Sequence, residues 1–238
     1  MPHRRRHHHQ GRKGPILVVT GMNREADCLG RDGVETLCSG ANARFLRSAL
    51  DDKARRQYAA VVSFGLAGGL CPSLRPGDAL LGTHVVSETG AVETHVDFSA
   101  ALHRSLGDAG VKARTGAVTG LDAPAMTVAR KSELRRSSGA IAADMESHLA
   151  GAFAQALGLP FAILRVACDP AERTLPPLAA LAITPAGEVD LPLVLRELMR
   201  EPRQLRDLVR AGVDSGAAFA TLRRCGSLLG PLFGLVRA

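Results

Sequence analysis

Carboxylates and exposed glycine backbone follow the apolar segments of this chain, in an arrangement that suits chemistry on a small ligand. The segments are TGMNRE at 20–25, SFGLAGGL at 63–70, and the pair ADMES and RVACD at 143–147 and 165–169. Open α/β sheets bind ligands beyond the ends of buried strands, which is where these polar groups fall. Carboxyl groups partly withdrawn from water can hold and transfer protons there. The candidate groups are Glu25, Glu146 and Asp169.

Each of these residues also has a structural explanation when it is considered alone. Gly68 and Gly69 are suited to turning the chain, and Glu25 is suited to the first turn of a helix. Asp169 fits a helix cap, because a proline follows it directly. Asp144 fits the cap or first turn of the next helix, so we leave it out of the catalytic set.

The elements that must position these groups alternate between strands and helices. Continuous apolar runs predict buried strands at 16–21, 59–65 and 161–167, and a weaker pattern predicts another at 114–121. We interpret residues 66–70 as a Gly-rich turn and residues 75–78, which contain Pro-Gly, as a tight turn. This alternation favours an α/β domain.

Helices are predicted in two parts of the chain. From about Asp144, apolar residues at spacings of three and four indicate an amphipathic helix that Gly158 and Pro160 end. An irregular Pro-rich stretch follows, and then LPLVLRELM at 191–199 and the segment 203–224 predict two helices rich in arginine. These helices either cover the sheet, with their arginines in water, or lie against an anionic lipid surface. The arginines concerned are Arg196, Arg200, Arg203, Arg206, Arg210, Arg223, Arg224 and Arg237.

Charge and cysteine content exclude several classes of protein. The 238-residue chain has a formal net charge of +7, but five cations of the first thirteen residues account for most of it. We therefore predict a disordered basic tail at 1–14 and no nucleic-acid partner. The five cysteines have no CxxC spacing, so we expect a reduced cytoplasmic location. The histidines are scattered, so we expect no metal. The chain has no GxGxxG or Walker motif, so we expect no nucleotide cofactor.

The combined motifs resemble one family. Four motifs occur over roughly residues 15–170 in the order used by nucleoside phosphorylases and nucleosidases. They are a strand followed by Gly-x-x-x-Glu, then FGLAGGLxPxLxPGD, then DMES, and then RxxxD. The segments are similar to methylthioadenosine/S-adenosylhomocysteine nucleosidases. DPAERTLPPLAALAI and the arginine-rich helices more closely resemble hopanoid-associated phosphorylases, which remove adenine from adenosylhopane. The resemblance implies a three-layer, single-domain fold over 15–238 with a central mixed sheet flanked by helices, and a homo-oligomer.

The resemblance also implies roles for individual residues. Asp169 would hold or relay the proton that reaches the leaving base. Glu146 would accept the sugar hydroxyls, and Met145 would pack on the ribose face, although a Met at a helix start also suits the core. Glu25 matches the carboxylate that positions water in the nucleosidases.

The base and the acceptor leave alternatives open. Ala67 and Gly68 expose backbone that can form a wall beside the base, and Phe64 either stacks on the purine or points into the core. No aromatic residue occurs in LDAPAM at 121–126, where a nucleosidase would offer one. Gly21 and Arg24 suit a phosphate anion, so inorganic phosphate is a possible co-substrate beside water.

We predict cleavage of the N-glycosidic bond of an adenine nucleoside, with adenosylhopane as substrate and peripheral membrane contact through the C-terminal helices. The alternative within enzymes is a methylthioadenosine/S-adenosylhomocysteine nucleosidase. The alternative from another class is a basic module that binds nucleic acid or a membrane surface through its N-terminal tail.

Overall fold

The computed structural model describes residues 14–30, 32–178, 190–201 and 204–228. The tail predicted at 1–14 falls outside this range except for its last residue. Arg203, Arg237 and most of the second half of the Pro-rich stretch also lie outside the described residues.

The described strands form one mixed sheet. Its path runs β2-β1-β3-β7-β6-β4-β5, and β8 pairs with both β3 and β4. Since β3 and β4 are also linked through β7 and β6, these five strands close into a ring. The strands are β1 (Ile16–Thr20), β2 (Val34–Cys38), β3 (Ala60–Gly69), β4 (Ala79–Ser87), β5 (Gly90–Glu93), β6 (Ala113–Gly120), β7 (Ala142–Asp144) and β8 (Phe161–Asp169).

Helices pack on both faces of this sheet. Apolar residues of α3 and of the second half of α7 cover one face, and those of α2 and α5 cover the other. The helices are α1 (Asn23–Ala26), α2 (Ala43–Lys53), α3 (Val96–Asp108), α4 (Val128–Ser138), α5 (Ser147–Ala156), α6 (Leu191–Arg200) and α7 (Leu205–Leu228). The chain thus has the predicted single-domain α/β fold, with a central mixed sheet flanked by helices.

Strand alternation explains why the apolar runs are continuous. Ile16 and Val18 of β1 belong to the cluster under α3 and α7, whereas Leu17 and Val19 belong to the cluster under α2 and α5. Successive side chains of a strand point to opposite faces, so a strand buried on both sides must be apolar at every position.

Most predicted elements are present, with one correction. The strands expected near 16, 60, 114 and 161 are β1, β3, β6 and β8. The helix expected from about Asp144 is α5, which begins at Ser147 because Asp144 ends β7, and the helices expected at 191–199 and 203–224 are α6 and α7. The turn at 75–78 has Gly77 at φ +92° and a hydrogen bond from Asp78 N to Arg75 O, as in a type II turn.

The prediction of a Gly-rich turn at 66–70 is wrong. β3 continues to Gly69, because Gly68 and Gly69 pair with Ala143 and Ala142 of β7 in an antiparallel ladder. Glycine at these positions lets the neighbouring backbone and side chains approach closely. In the sequence, glycines with this role look the same as glycines that form a turn.

Candidate active site

The three segments chosen from the sequence meet at one cavity of about 200 Å³. It lies where the C-terminal ends of β1, β3, β7 and β8 come together, and residues from all four strand ends line it. Its walls are largely apolar, with four carboxylates between them, from α1, β7, the N-cap position of α5 and β8. The carboxylates belong to Glu25, Asp144, Glu146 and Asp169.

Glu25 is held by the backbone around it. Its Oε2 accepts hydrogen bonds from Gly21 N at 2.6 Å and Met22 N at 3.1 Å, and its Oε1 accepts one from Leu66 N at 2.9 Å. The residue is only 2% exposed. Burial raises the pKa of this carboxyl group, and the positive charge of Arg165 opposes that rise. Glu25 therefore joins the end of β1 to the end of β3 at a fixed position.

Arg165 of β8 carries the positive charge beneath these carboxylates. Its guanidinium is fully buried and lies 2.9 Å from Asp144 Oδ2 and 3.3 Å from Glu146 Oε2. It also donates to Ser63 Oγ at 2.5 Å and to Leu66 O at 3.3 Å. A buried charge is tolerated only when it is paired and hydrogen-bonded, so this arginine compensates the acids that share the site.

Glu146 lies at the N-cap position of α5 and faces the cavity. Ser39 Oγ donates to its Oε1 at 2.9 Å. Burial is the main reason that the pKa of Glu146 rises to about 7, Arg165 opposes the rise, and the nearby Asp144 and Glu25 add to it. Near neutral pH this carboxyl group therefore exists in both protonation states.

Asp144 caps helix α5 through its side chain, although it is the last residue of β7 and lies two residues before the N-cap position where the sequence placed it. Its Oδ1 accepts from Glu146 N at 3.1 Å and from Ser147 N at 2.8 Å, which satisfies free N–H groups at the start of α5. Its other oxygen, Oδ2, pairs with Arg165. Asp144 thus fixes both Glu146 and Arg165 in place.

Asp169, the last residue of β8, also lines the cavity. It is 4% exposed, and burial raises the pKa of its carboxyl group, with Lys131 opposing that rise. Lys131 Nζ pairs with its Oδ2, and Cys168 Sγ donates to its Oδ1 at 3.3 Å. A carboxyl group with a raised pKa beside a ligand cavity is suited to proton transfer.

Two glycines allow the carboxylates to come this close. A Cβ at Gly65, which has φ +151°, would lie 2.5 Å from Glu25 Oε2. A Cβ at Gly21 would lie 3.0 Å from Glu146 Oε1. At Gly65 a side chain would collide with Glu25, and its positive φ also disfavours any other residue, whereas at Gly21 the Glu146 carboxylate would have to shift by a few tenths of an ångström.

A family model for the phosphorylase superfamily matches residues 7–179, which is more than half of the chain. The chain belongs to the phosphorylase superfamily. Membership confirms the family predicted from the motifs, and with it the enzyme class, a nucleoside phosphorylase or nucleosidase. No curated protein matches the chain.

Solved structures share the fold of this superfamily member at low sequence identity. A 5′-methylthioadenosine/S-adenosylhomocysteine nucleosidase from Neisseria meningitidis, in complex with methylthio-immucillin-A, has a TM-score of 0.68 at 15% identity, covering 91% of this chain and 98% of its own. A Helicobacter pylori MTAN mutant with 5′-methylthioadenosine in the active site has a TM-score of 0.67 at 14% identity, with coverages of 91% and 96%. Futalosine hydrolase of H. pylori has a TM-score of 0.59 at 17% identity, with coverages of 65% and 87%.

Most of the site residues predicted for this phosphorylase-superfamily chain line the same cavity. The structure brings together Gly21, Glu25, Ala67, Gly68, Met145, Glu146 and Asp169. These residues come from four separate stretches of the sequence, and strand pairing is what places them side by side.

Phe64 and Arg24 are not brought to the cavity, contrary to the sequence-based expectation. Phe64 is fully buried in the cluster under α3 and α7, because strand alternation turns it to that face. It therefore cannot stack on a base in this structure. The guanidinium of Arg24 lies 4.1 Å from the ring centroid of Phe219 on α7, a cation–π contact that directs it away from the cavity.

Sequence reasoning missed three residues of the site. Lys131, Arg165 and Ser39 contact the carboxylates, yet none was selected as a site residue. Arg165 offers the clearest signal, since a cation inside the buried run FAILRVA needs acidic partners. Within the described ranges, no group of three or more His, Cys, Asp and Glu residues is placed to hold a metal ion.

Proposed function

We propose that this chain cleaves the N-glycosidic bond of an adenine nucleoside. The observation that supports this most strongly is the convergence of Glu25, Glu146 and Asp169 on one cavity of about 200 Å³. They offer separate groups for the acceptor, the sugar and the base. The choice of adenine rests on the resemblance to adenine-releasing members of the family.

Asp169 is proposed to protonate the leaving base. When the bond from C1′ breaks, its electron pair goes to the purine and positive charge develops on the sugar. Burial raises the pKa of Asp169, so this group can carry a proton to a purine nitrogen as the bond breaks.

Glu146 is proposed to bind the sugar, with Met145 beside it. Both line the cavity at the start of α5, and Ser39 and Arg165 hold the Glu146 carboxylate from behind. An ionised carboxylate that accepts hydrogen bonds from both hydroxyls of ribose fixes the ring in position and is compatible with positive charge on the ring.

Water is the proposed acceptor. The N–H groups of Gly21 and Met22, which would otherwise suit an anion, already donate to Glu25. Arg24 contacts Phe219, and the two cations nearest the cavity, Lys131 and Arg165, are paired with acids. Glu25 would take the proton of a water molecule whose oxygen bonds to C1′, giving a free sugar and adenine.

Adenosylhopane is the proposed substrate, on the resemblance of the C-terminal segments and on the surface of α7. Leu205, Val209 and Val213 are 52%, 56% and 68% exposed and recur every four residues, so they form one apolar face. Arginines 206 and 210 are exposed beside them. We call these three apolar residues the α7 stripe, and we propose that it contacts the membrane that holds a lipid-linked nucleoside. No described helix is long and apolar enough to cross a bilayer.

The decisive experiment offers the purified protein two substrates. Adenosylhopane in vesicles and methylthioadenosine in buffer are each incubated with and without phosphate, and adenine is measured by chromatography. We expect release from the lipid without phosphate, with Asp169→Asn as the inactive control. Release from methylthioadenosine alone would establish the nucleosidase instead, and a phosphate requirement would establish a phosphorylase.

The proposal also competes with a binding function of the basic tail. Deleting residues 2–13 should leave adenine release intact. Two results together would favour the binding module: the deletion abolishes salt-sensitive binding to duplex DNA or anionic lipid, and the full chain has no glycosidic activity.

A further inference from the structure

Lys131 is a buried cation with an unusual position. It lies on α4, one residue after the exposed Arg130, yet its side chain is only 1% exposed. It lines the cavity beside Asp169. A lysine this deeply buried requires partners for its charge and its hydrogens.

All three donors of the Lys131 ammonium group are engaged. Nζ pairs with Asp169 Oδ2, and it donates to Pro170 O at 2.8 Å and to Arg173 O at 2.9 Å. An ammonium group has three hydrogens to donate. None is left for a ligand in the cavity, so Lys131 must act through Asp169.

These contacts give the two carboxylate oxygens of Asp169 different surroundings. Oδ2 faces Lys131, whereas Oδ1 lies on the side of Gly68, where an added Cβ would be 3.2 Å from Oδ1 and 3.7 Å from Oδ2. Gly68 is a wall of the cavity. Oδ1, which accepts a hydrogen bond from Cys168 Sγ at 3.3 Å, is therefore the oxygen nearer to this wall and the one that Lys131 leaves available.

We propose that Lys131 is the positioning residue of Asp169: it holds Oδ2, turns Oδ1 toward the base, and keeps a positive charge against the carboxyl group while the base leaves. The role rests on the proposed function, because it concerns the group that gives the base its proton. As that proton departs, Asp169 becomes a carboxylate. The adjacent ammonium group stabilises the negative charge that forms.

The charges around Asp169 set the sign of the expected effect. Lys131 from α4 and Arg173 from the segment after β8 lower the pKa of Asp169, Cys168 of the same strand also lowers it by donating a hydrogen bond, and burial raises it. Removing Lys131 therefore makes Asp169 a weaker acid. It stays protonated to higher pH but gives up its proton less readily.

The test replaces Lys131 by Met, which removes the charge at similar length, with Lys112→Met as a control at an exposed lysine. The pKa of Asp169 is measured by NMR of labelled aspartate carboxyl carbons and assigned with Asp169→Asn. We expect it to rise by about one pH unit or more in Lys131→Met. With the nucleoside substrate, kcat should fall about 10²-fold and the basic limb of its pH profile should move to higher pH. Lys112→Met should change none of these.

A purely structural lysine would lower the melting temperature without moving the pKa of Asp169 or the basic limb, and that result would overturn the proposal. If Lys131→Met does not fold, the same measurements are made on Lys131→Gln. The glutamine side chain keeps N–H donors for Pro170 O and Arg173 O. If no nucleoside is cleaved, the proposed function fails, and the NMR titration still decides whether Lys131 controls Asp169.

Discussion

Asp169 and Glu146 are two buried carboxyl groups that line one cavity but have different surroundings. Both have a raised pKa because of burial. Asp169 has a lysine against one oxygen and a thiol against the other, whereas Glu146 shares Arg165 with Asp144. Glu146 is thus one of several acids around a single cation. Their neighbours, rather than their residue type, distinguish the proposed proton donor from the proposed sugar ligand.

Replacing Asp169 by Asn should abolish most base release. The change keeps the shape of the side chain but removes the carboxyl proton, so we expect kcat to fall by about 10²- to 10⁴-fold. Adenine release and thermal unfolding are measured on the same preparation. Activity near that of the wild type would exclude Asp169 from the mechanism.

Replacing Glu146 by Gln should affect ribonucleosides more than 2′-deoxynucleosides. The loss of a charge-assisted hydrogen bond to the 2′-hydroxyl should cost the ribonucleoside about 10- to 100-fold in kcat/KM, and the deoxynucleoside less. The two substrates are compared in both proteins. Equal losses would mean that Glu146 does not bind that hydroxyl.

The same residue should make stability depend on pH. The pKa of Glu146 is raised from 4.5 to about 7, so the folded state holds this proton more tightly than the unfolded state. Its contribution is complete below pH 4.5 and is lost as the pH rises through 7, a difference of about 3 kcal/mol. Urea unfolding of wild type and Glu146→Gln should therefore show the variant gaining relative stability between pH 5 and pH 8. A constant difference would contradict the raised pKa.

At the scale of elements, the strand ends act as a frame for the charged groups. β1 and β3 are tied together by Glu25. β8 carries both Asp169, which lines the cavity, and Arg165, which pairs with Asp144 and Glu146. The ladder between β3 and β7 places Gly68 beside Ala143, so the acids that follow β7 meet those that follow β1 and β8. The carboxylates fit between these strand ends because glycine leaves space beside them.

Gly65→Ala tests that frame. Its Cβ would lie 2.5 Å from Glu25 Oε2 and 2.8 Å from Arg165 Nη1, at a φ of +151°. We expect a stability loss of about 1–3 kcal/mol from the strained backbone, and an additional loss of kcat because Glu25 is displaced.

Gly90→Ala is the matched control for this variant. Gly90 also has a positive φ, +124°, but nothing lies within 4 Å of an added Cβ. It should lose stability and keep its kcat. If Gly65→Ala behaves in the same way as Gly90→Ala, close packing against Glu25 is not important for activity.

At the scale of the whole molecule, α7 has two distinct halves. Its second half buries Ala218, Phe219 and Leu222 against the sheet, whereas its first half exposes the α7 stripe. One helix therefore closes the core and also presents an apolar surface. That surface lies outside the elements that form the cavity.

Changing the α7 stripe should separate the two substrates. Replacing Leu205, Val209 and Val213 by Gln should reduce adenine release from adenosylhopane in vesicles, and should reduce sedimentation with anionic vesicles, while soluble nucleosides are cleaved as before. Val96→Gln, at a valine that is 79% exposed on α3, is the control. Equal effects on lipid and soluble substrates would remove the membrane role of the stripe.

The amino-acid sequence by itself determined the family, the alternation of strands and helices, and the main acids of the site. Those signals are local: apolar runs such as FAILRVA, and short motifs such as DMES that carry their functional groups within a few residues. The capping role of Asp144 was recognised for the same reason, because it acts on residues two and three positions further along the chain.

Only the tertiary structure decided which side chains face the cavity and which cations support it. Phe64 and Gly68 lie on the same strand, and the side of the sheet to which each turns depends on pairing with distant strands. Lys131 stands in a helix of charged residues and would be expected in water, yet α4 packs against β6 and the Lys131 side chain is buried against Asp169 at the end of β8. Such contacts join residues 38 positions apart, and their geometry follows from the whole fold rather than from local sequence.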